Sequence, residues 1–105
     1  SLVGKTYAAF GYHVDEMNAG IIHFDGYDAY YVYRFIDEVR AERTTRKYSA
    51  KGEIIGEIEP CTYIYEYPLI EITYTPDYSD KETTVKGEFL DKNTFRINKS
   101  DYHLQ

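Results

Sequence analysis

The sequence predicts an all-β fold: a small antiparallel up-and-down barrel of about eight short strands, built as one domain over residues 1–105. Three observations carry that prediction. Apolar and aromatic residues alternate with polar ones over short segments, and turn signals separate the segments. The chain holds thirteen tyrosines and no tryptophan, and tyrosine suits a pleated surface that is dry on one side and wet at the hydroxyl. A closed barrel also leaves so tyrosine-rich a sheet without an edge through which to aggregate.

The clearest alternation runs from Cys61 to Pro76 and reads as two strands. Cys61, Tyr63, Tyr65 and Tyr67 share one face of the first, against Thr62, Ile64 and Glu66. Ile70, Ile72 and Tyr74 share one face of the second, against Leu69, Glu71, Thr73 and Thr75. The aromatic and aliphatic sets belong to the core. Pro68 has no backbone N–H and pushes Tyr67 towards extended geometry, so the chain bends there and re-enters the sheet.

Taken in order, Gly4 to Tyr12 is the first strand, with Gly11 marking a bulge, and residues 14–20 are a polar loop. Ile21 to Phe24 is a short apolar segment closed by Asp25-Gly26. Residues 28–43 carry two competing periodicities. Ala29, Val32, Tyr33, Ile36 and Val39 sit at helical spacing, but Tyr30 to Ile36 is almost wholly aromatic or β-branched. Strands Tyr30 to Ile36 and Val39 to Tyr48 are the preferred reading. Residues 53–60 form a short strand broken at Gly56 and ended by Pro60. Thr83 to Leu90 and Thr94 to Asn98 form a hairpin across residues 91–93, with Val85, Gly87 and Phe89 on one face and Phe95 and Ile97 likewise together. The tail from Ser100 supplies a last strand against the first.

Composition narrows the function. A net charge of −6 argues against nucleic acid as a partner, because binding phosphates needs a basic face. No apolar run approaches the roughly 20 residues of a membrane-spanning helix. The opening Ser1-Leu2-Val3-Gly4 lacks an initiator Met and a basic n-region, as expected of a mature or trimmed chain. Cys61 is the single cysteine and reads as a small buried apolar residue.

Gly4-Lys5-Thr6-Tyr7, the Tyr/Phe strand from Tyr30 to Phe35, the Tyr63-x-Tyr65-x-x-Pro68-x-Ile70-x-Ile72 pattern and the closing hairpin together resemble the lipocalin-like small proteins of the bacterial envelope. The resemblance implies a meandering barrel that binds a small apolar or amphipathic molecule in a secreted or periplasmic setting, lipoproteins included. It further implies that Tyr7 stands where such proteins place a floor tryptophan, with Arg96 packed on it as the cation.

Catalytic and metal motifs are not apparent, and the expectation is a non-enzyme without a cofactor. His13, His23 and His103 have no ligand spacing, and no Gly-x-Ser-x-Gly is present. Asp77, Ser79 and Asp80, with Asp15, Glu16 and Asn18, read as solvated loop residues rather than a calcium site. Glu66 and Glu71 fall on solvent faces. Two features stand above this background. Arg34, Arg40, Arg43, Arg46 and Lys47 form a basic cluster, with Glu38 and Glu42 as cross-strand partners; Arg43 or Arg46 at a barrel mouth would grip a carboxylate through its planar fork. Tyr31, Tyr33, Tyr63, Tyr65 and Tyr74 converge inside the barrel, filling it or lining a pocket. The candidate ligand site is therefore Tyr31, Tyr33, Tyr63, Tyr65, Tyr74 and Arg43. Two functions stay open: a binder of a small lipophilic ligand, and a module whose exposed Tyr/Arg-rich sheet face docks a protein or glycan.

Overall fold

A computed structural model of the chain describes residues 1–76 and 78–105. The chain forms eleven strands among the described residues: β1 (Thr6–Val14), β2 (Met17–Ala19), β3 (Ile22–Phe24), β4 (Tyr27–Phe35), β5 (Arg40–Ser49), β6 (Gly52–Ile55), β7 (Glu59–Glu66), β8 (Leu69–Tyr74), β9 (Thr83–Asp91), β10 (Thr94–Ile97) and β11 (Ser100–Leu104). Eight of them, β1, β4, β5 and β7 to β11, pair each with the next and the last with the first, all antiparallel. That is a closed up-and-down barrel. β6 pairs with β5 outside it, and β2–β3 is a separate two-stranded ribbon.

The period-2 pattern does what it predicts except at Tyr67, which alternation puts on the core face but which lies in the turn between β7 and β8 and is 49% exposed. Tyr7, Ala9, Tyr33, Phe35, Ala41, Cys61, Tyr63, Ile70, Ile72, Phe89, Phe95, Ile97 and Tyr102 form one buried cluster inside the barrel. Tyr7, Phe35, Phe95, Ile70 and Ile72 are fully buried. Rings fill the interior in edge-to-face and tilted contacts: Tyr7 with Phe35 at 5.9 Å, Phe35 with Tyr63 at 4.8 Å, Phe89 with Phe95 at 5.1 Å. Such contacts add about 0.5–1.5 kcal/mol each beyond the area they bury. Gly87 matters here, because a Cβ on it would stand 2.8 Å from both the Arg96 carbonyl and the Ile97 side chain. At the N-terminus Gly4 adopts φ +79°, open to glycine, and the turn carries Leu2 into the same cluster.

The competing helical pattern of residues 28–43 loses to its β-branched and aromatic content, since β4 and β5 pair over eight positions from Asp28–Tyr48 to Phe35–Ala41. The Gly11 bulge is present as a register shift between Phe10 and Tyr12. Several details differ from the sequence reading. Residues 14–20 are not all loop, because Met17–Ala19 pairs with Ile22–Phe24 across a turn at Gly20 with φ +64°. Pro60 does not end a strand but sits near the start of β7, opposite Glu42. Glu38 takes a hydrogen bond from Ser1 instead of pairing with the basic cluster. Arg96 does not pack on Tyr7: it is on the outer face of β10, bonded to Asp101 at 2.6 Å, while Tyr7 is enclosed by Phe35, Phe89 and Phe95. Strand alternation enforces that, because Phe95 and Ile97 point in and Arg96 between them points out.

β1, β4 and β5 run past the barrel rim and, with β6, make a sheet that extends beyond it. The molecule is accordingly elongated, 53 × 32 × 23 Å.

A tyrosine-ringed arginine at the barrel mouth

β5 faces β4 in a register that sets Arg43 directly opposite Tyr33, and β7 sets Glu59 opposite Arg43. Arg43 therefore points into the barrel, at the end from which the sheet extends. A hollow of about 240 Å³ opens there, lined by Arg43 with Tyr31, Tyr33, Tyr74, Tyr102, Ser100 and Asn98 and floored by Val85 and Ile97. The guanidinium carbon lies 3.9 Å above the Tyr74 ring. Its Nε is 3.7 Å from Glu59, beyond hydrogen-bonding reach. The exposed arginines behave otherwise: Arg34, Arg40 and Arg96 each bond a carboxylate at 2.5–2.6 Å. Arg43 thus lines a hollow of mixed character, with tyrosine hydroxyls, Ser100 and Asn98 on one side and Val85 and Ile97 on the other.

Electrostatics at the mouth follow from burial. Burial first, then the neighbouring Tyr102, holds the Tyr33 hydroxyl far above the usual tyrosine range. Tyr102 is raised for the same first reason, partly opposed by Arg43. Burial works against the charge on Arg43, but Tyr33, Tyr74 and Glu59 more than offset it. At neutral pH Arg43 is therefore a cation beside the un-ionised Tyr33 and Tyr102 hydroxyls. Cys61, one turn of the pleat below Arg43, is buried and its thiol is pushed up to about 11 by that burial.

Of the predicted set, Tyr31, Tyr33, Tyr74 and Arg43 meet at the mouth. Tyr63 and Tyr65 do not reach it. Cys61 is the residue opposite Tyr74, so Tyr63 and Tyr65 lie two and four residues deeper. Tyr63 packs on Phe35 and donates its hydroxyl to the Asp37 carbonyl, and Tyr65 packs on Phe89. Tyr102, missed in the sequence, completes the ring with centroids 5.1 Å from Tyr33 and 5.0 Å from Phe95. Pairing of the tail with the first strand was expected, and alternation from Ser100 would have placed Tyr102 inside.

The basic cluster divides between the two faces of the sheet, with Arg34 on β4 and the rest on β5. Lys47 joins Arg43 on the inner face, its ammonium 5.0 Å above the Tyr27 ring. Arg46 is on the outer face, beside a larger hollow of about 480 Å³ walled by Tyr30, Val32, Tyr48, Thr6 and Ala8. Its Nε is buried and, among the described residues, without a hydrogen bond, 3.8 Å from Glu53. Phe10, Tyr30 and Tyr48 form an edge-to-face row on that face.

His13 and His23 are each held by nearby side chains, His13 by Asp28 and Asp15, His23 by Asn18 and Asp25. Among the described residues, no three His, Cys, Asp or Glu side chains converge in the manner of metal ligands. Asp77, named with the loop carboxylates above, lies outside the described residues. No helix among the described residues is long and apolar enough to cross a membrane. No family model, curated protein or solved structure is significantly similar to this chain.

Proposed function

We propose that this chain is a non-catalytic, lipocalin-like binding domain of the bacterial envelope, and that its barrel mouth takes the carboxylate head of a small amphipathic molecule. The observation that carries the reading is the state of Arg43: half-buried, charged, stacked on Tyr74 and, among the described residues, without a hydrogen-bonded carboxylate of its own. A planar guanidinium so placed presents two parallel donors to an incoming carboxylate. The surrounding Tyr31, Tyr33 and Tyr102 hydroxyls orient it, and Val85 and Ile97 receive apolar atoms.

The size of the hollow limits the ligand. At about 240 Å³ it is smaller than the roughly 300–1,000 Å³ of pockets that enclose a drug-sized molecule. The barrel interior below is filled with rings, so the body of the ligand lies against the extended wall, where Tyr12 and Tyr27 approach within 6.2 Å of each other. The secreted or periplasmic setting rests on the resemblance alone.

Native mass spectrometry of protein purified without lipophilic additives, followed by identification of released material, tests this. A stoichiometric acidic small molecule retained by the parent protein and absent from an Arg43→Gln variant is the expected result. Retention undiminished in that variant would refute the mouth as the site.

A second reading has its own observation. The Phe10, Tyr30 and Tyr48 row with Arg46 beside it is an aromatic and basic surface of the type that glycans and proteins use, with Phe10 54% and Tyr48 41% exposed. Loss of a retained partner in Tyr48→Ala, with Arg43→Gln unaffected, would favour it.

A further inference from the structure

Closing eight strands into a barrel removes their edges, but β6 hangs outside and restores one. Its outward backbone groups follow from its pairing. The Gly56 N–H donates to the Thr45 carbonyl at 2.8 Å, and the register continues Lys47–Ile54 and Ser49–Gly52. In an antiparallel ladder hydrogen-bonded pairs alternate, so residues 52, 54 and 56 bond inward to β5 and the N–H and C=O of Glu53 and Ile55 point away. Ile54, Ile55 and Ile58 are 65%, 56% and 56% exposed. β6 contains no proline or bulge. The upper part of β1, the other open edge of the extension, carries the Gly11 bulge that commonly protects such an edge.

We infer that β6 is a homodimer edge, pairing antiparallel with β6 of a second copy about a two-fold axis at Ile54. Charge selects the register. Outward groups must meet outward groups, which leaves three two-fold alignments over this strand. Setting Glu53 opposite Glu53, or Glu53 opposite Glu57, places like charges together. The third sets Glu53 opposite the second copy's Ile55 and Ile54 opposite Ile54, and brings Lys51 opposite Glu57. It uses both outward residues of each copy in four backbone hydrogen bonds. An isologous contact of this kind closes at two copies, which a heterologous contact between β6 and the β1 edge would not.

Sedimentation equilibrium of the intact chain at micromolar concentration reads the mass, and symmetric cysteines read the register. Facing Ile54 residues form a non-hydrogen-bonded pair with Cα atoms about 4.5 Å apart, within disulfide reach. Ile55 and its copy lie about 8 Å apart, beyond it. In a Cys61→Ala background, Ile54→Cys is expected to give a covalent dimer under mild oxidation and Ile55→Cys to stay uncrosslinked. Glu53→Pro removes an N–H that has no ladder partner among the described residues, so it should leave the monomer folded and halve the sedimenting mass. A monomeric parent chain, equal crosslinking at both cysteines, or a dimer that survives Glu53→Pro would each overturn the inference.

Discussion

The Arg43 guanidinium lies 3.9 Å above the face of Tyr74, and both side chains come from strands separated by β7 in the barrel wall. Cation–π stacking of this kind contributes about 0.5–2 kcal/mol, more as the pair is desolvated. It also fixes the plane of the guanidinium, which makes the fork at the mouth pre-organised rather than a mobile charge. Arg43→Gln should weaken binding of carboxylate probes at least tenfold, about 1.4 kcal/mol. Thermal unfolding of the variant with and without an excess of decanoate measures this, and the ligand-induced rise in Tm should disappear.

Gly87 is a packing position. The Arg96 carbonyl and the Ile97 and Ile70 side chains close over it at 2.8, 2.8 and 3.2 Å from where a Cβ would stand. Since the nearest of these is backbone, Gly87→Ala is expected to destabilise the barrel by about 1–3 kcal/mol. Urea unfolding followed by tyrosine fluorescence is the measurement.

His13 links pH to the ribbon end of the molecule. Its hydrogen bonds to Asp28 and then Asp15 raise its pKa above the ordinary 6.5. A raised folded pKa favours the protonated ring in the folded state. That stabilisation is fully present below the unfolded value and is lost as pH rises through the folded one. The His13 midpoint, followed by its ring proton resonances, should lie above 6.5 and fall in Asp28→Asn. The loss of Tm caused by Asp28→Asn should be larger on the acid side of that window.

Cys61 should be inert in the folded protein. Burial holds its thiol at about 11, so almost none is thiolate at neutral pH. Alkylation by iodoacetamide should be slow under native conditions and fast in denaturant, with a mass shift of one adduct per chain.

How much of this was legible beforehand depends on the physics of each element. The inward faces of β7 to β10 follow from alternation alone, because a one-residue slip would turn Tyr63, Ile72 and Phe95 into solvent, while the closure of the tail on β1 follows from the need to leave no sheet edge. The ribbon at Met17 to Phe24 was hidden because its apolar residues are exposed, Met17 at 57% and Ile22 at 54%, so no burial pattern marks it. Arg43 was visible as one member of a basic run. That it alone of the five enters the mouth needed the β4–β5 register, and alternation then sent Arg46 to the opposite face. Tyr63 and Tyr65 read as equal members of the tyrosine set, although depth along the barrel axis separates them from the mouth, and alternation does not report depth.

The most direct test of the mouth as a binding site is a chemical-shift titration of isotope-labelled protein with decanoate, and with decanol as the same chain lacking the carboxylate. Decanoate is expected to shift the Arg43 side chain together with Tyr33, Tyr74, Ser100 and Tyr102, with decanol far weaker. Equal responses to the two probes, or shifts confined to Tyr30, Arg46 and Tyr48 on the outer face, would contradict it.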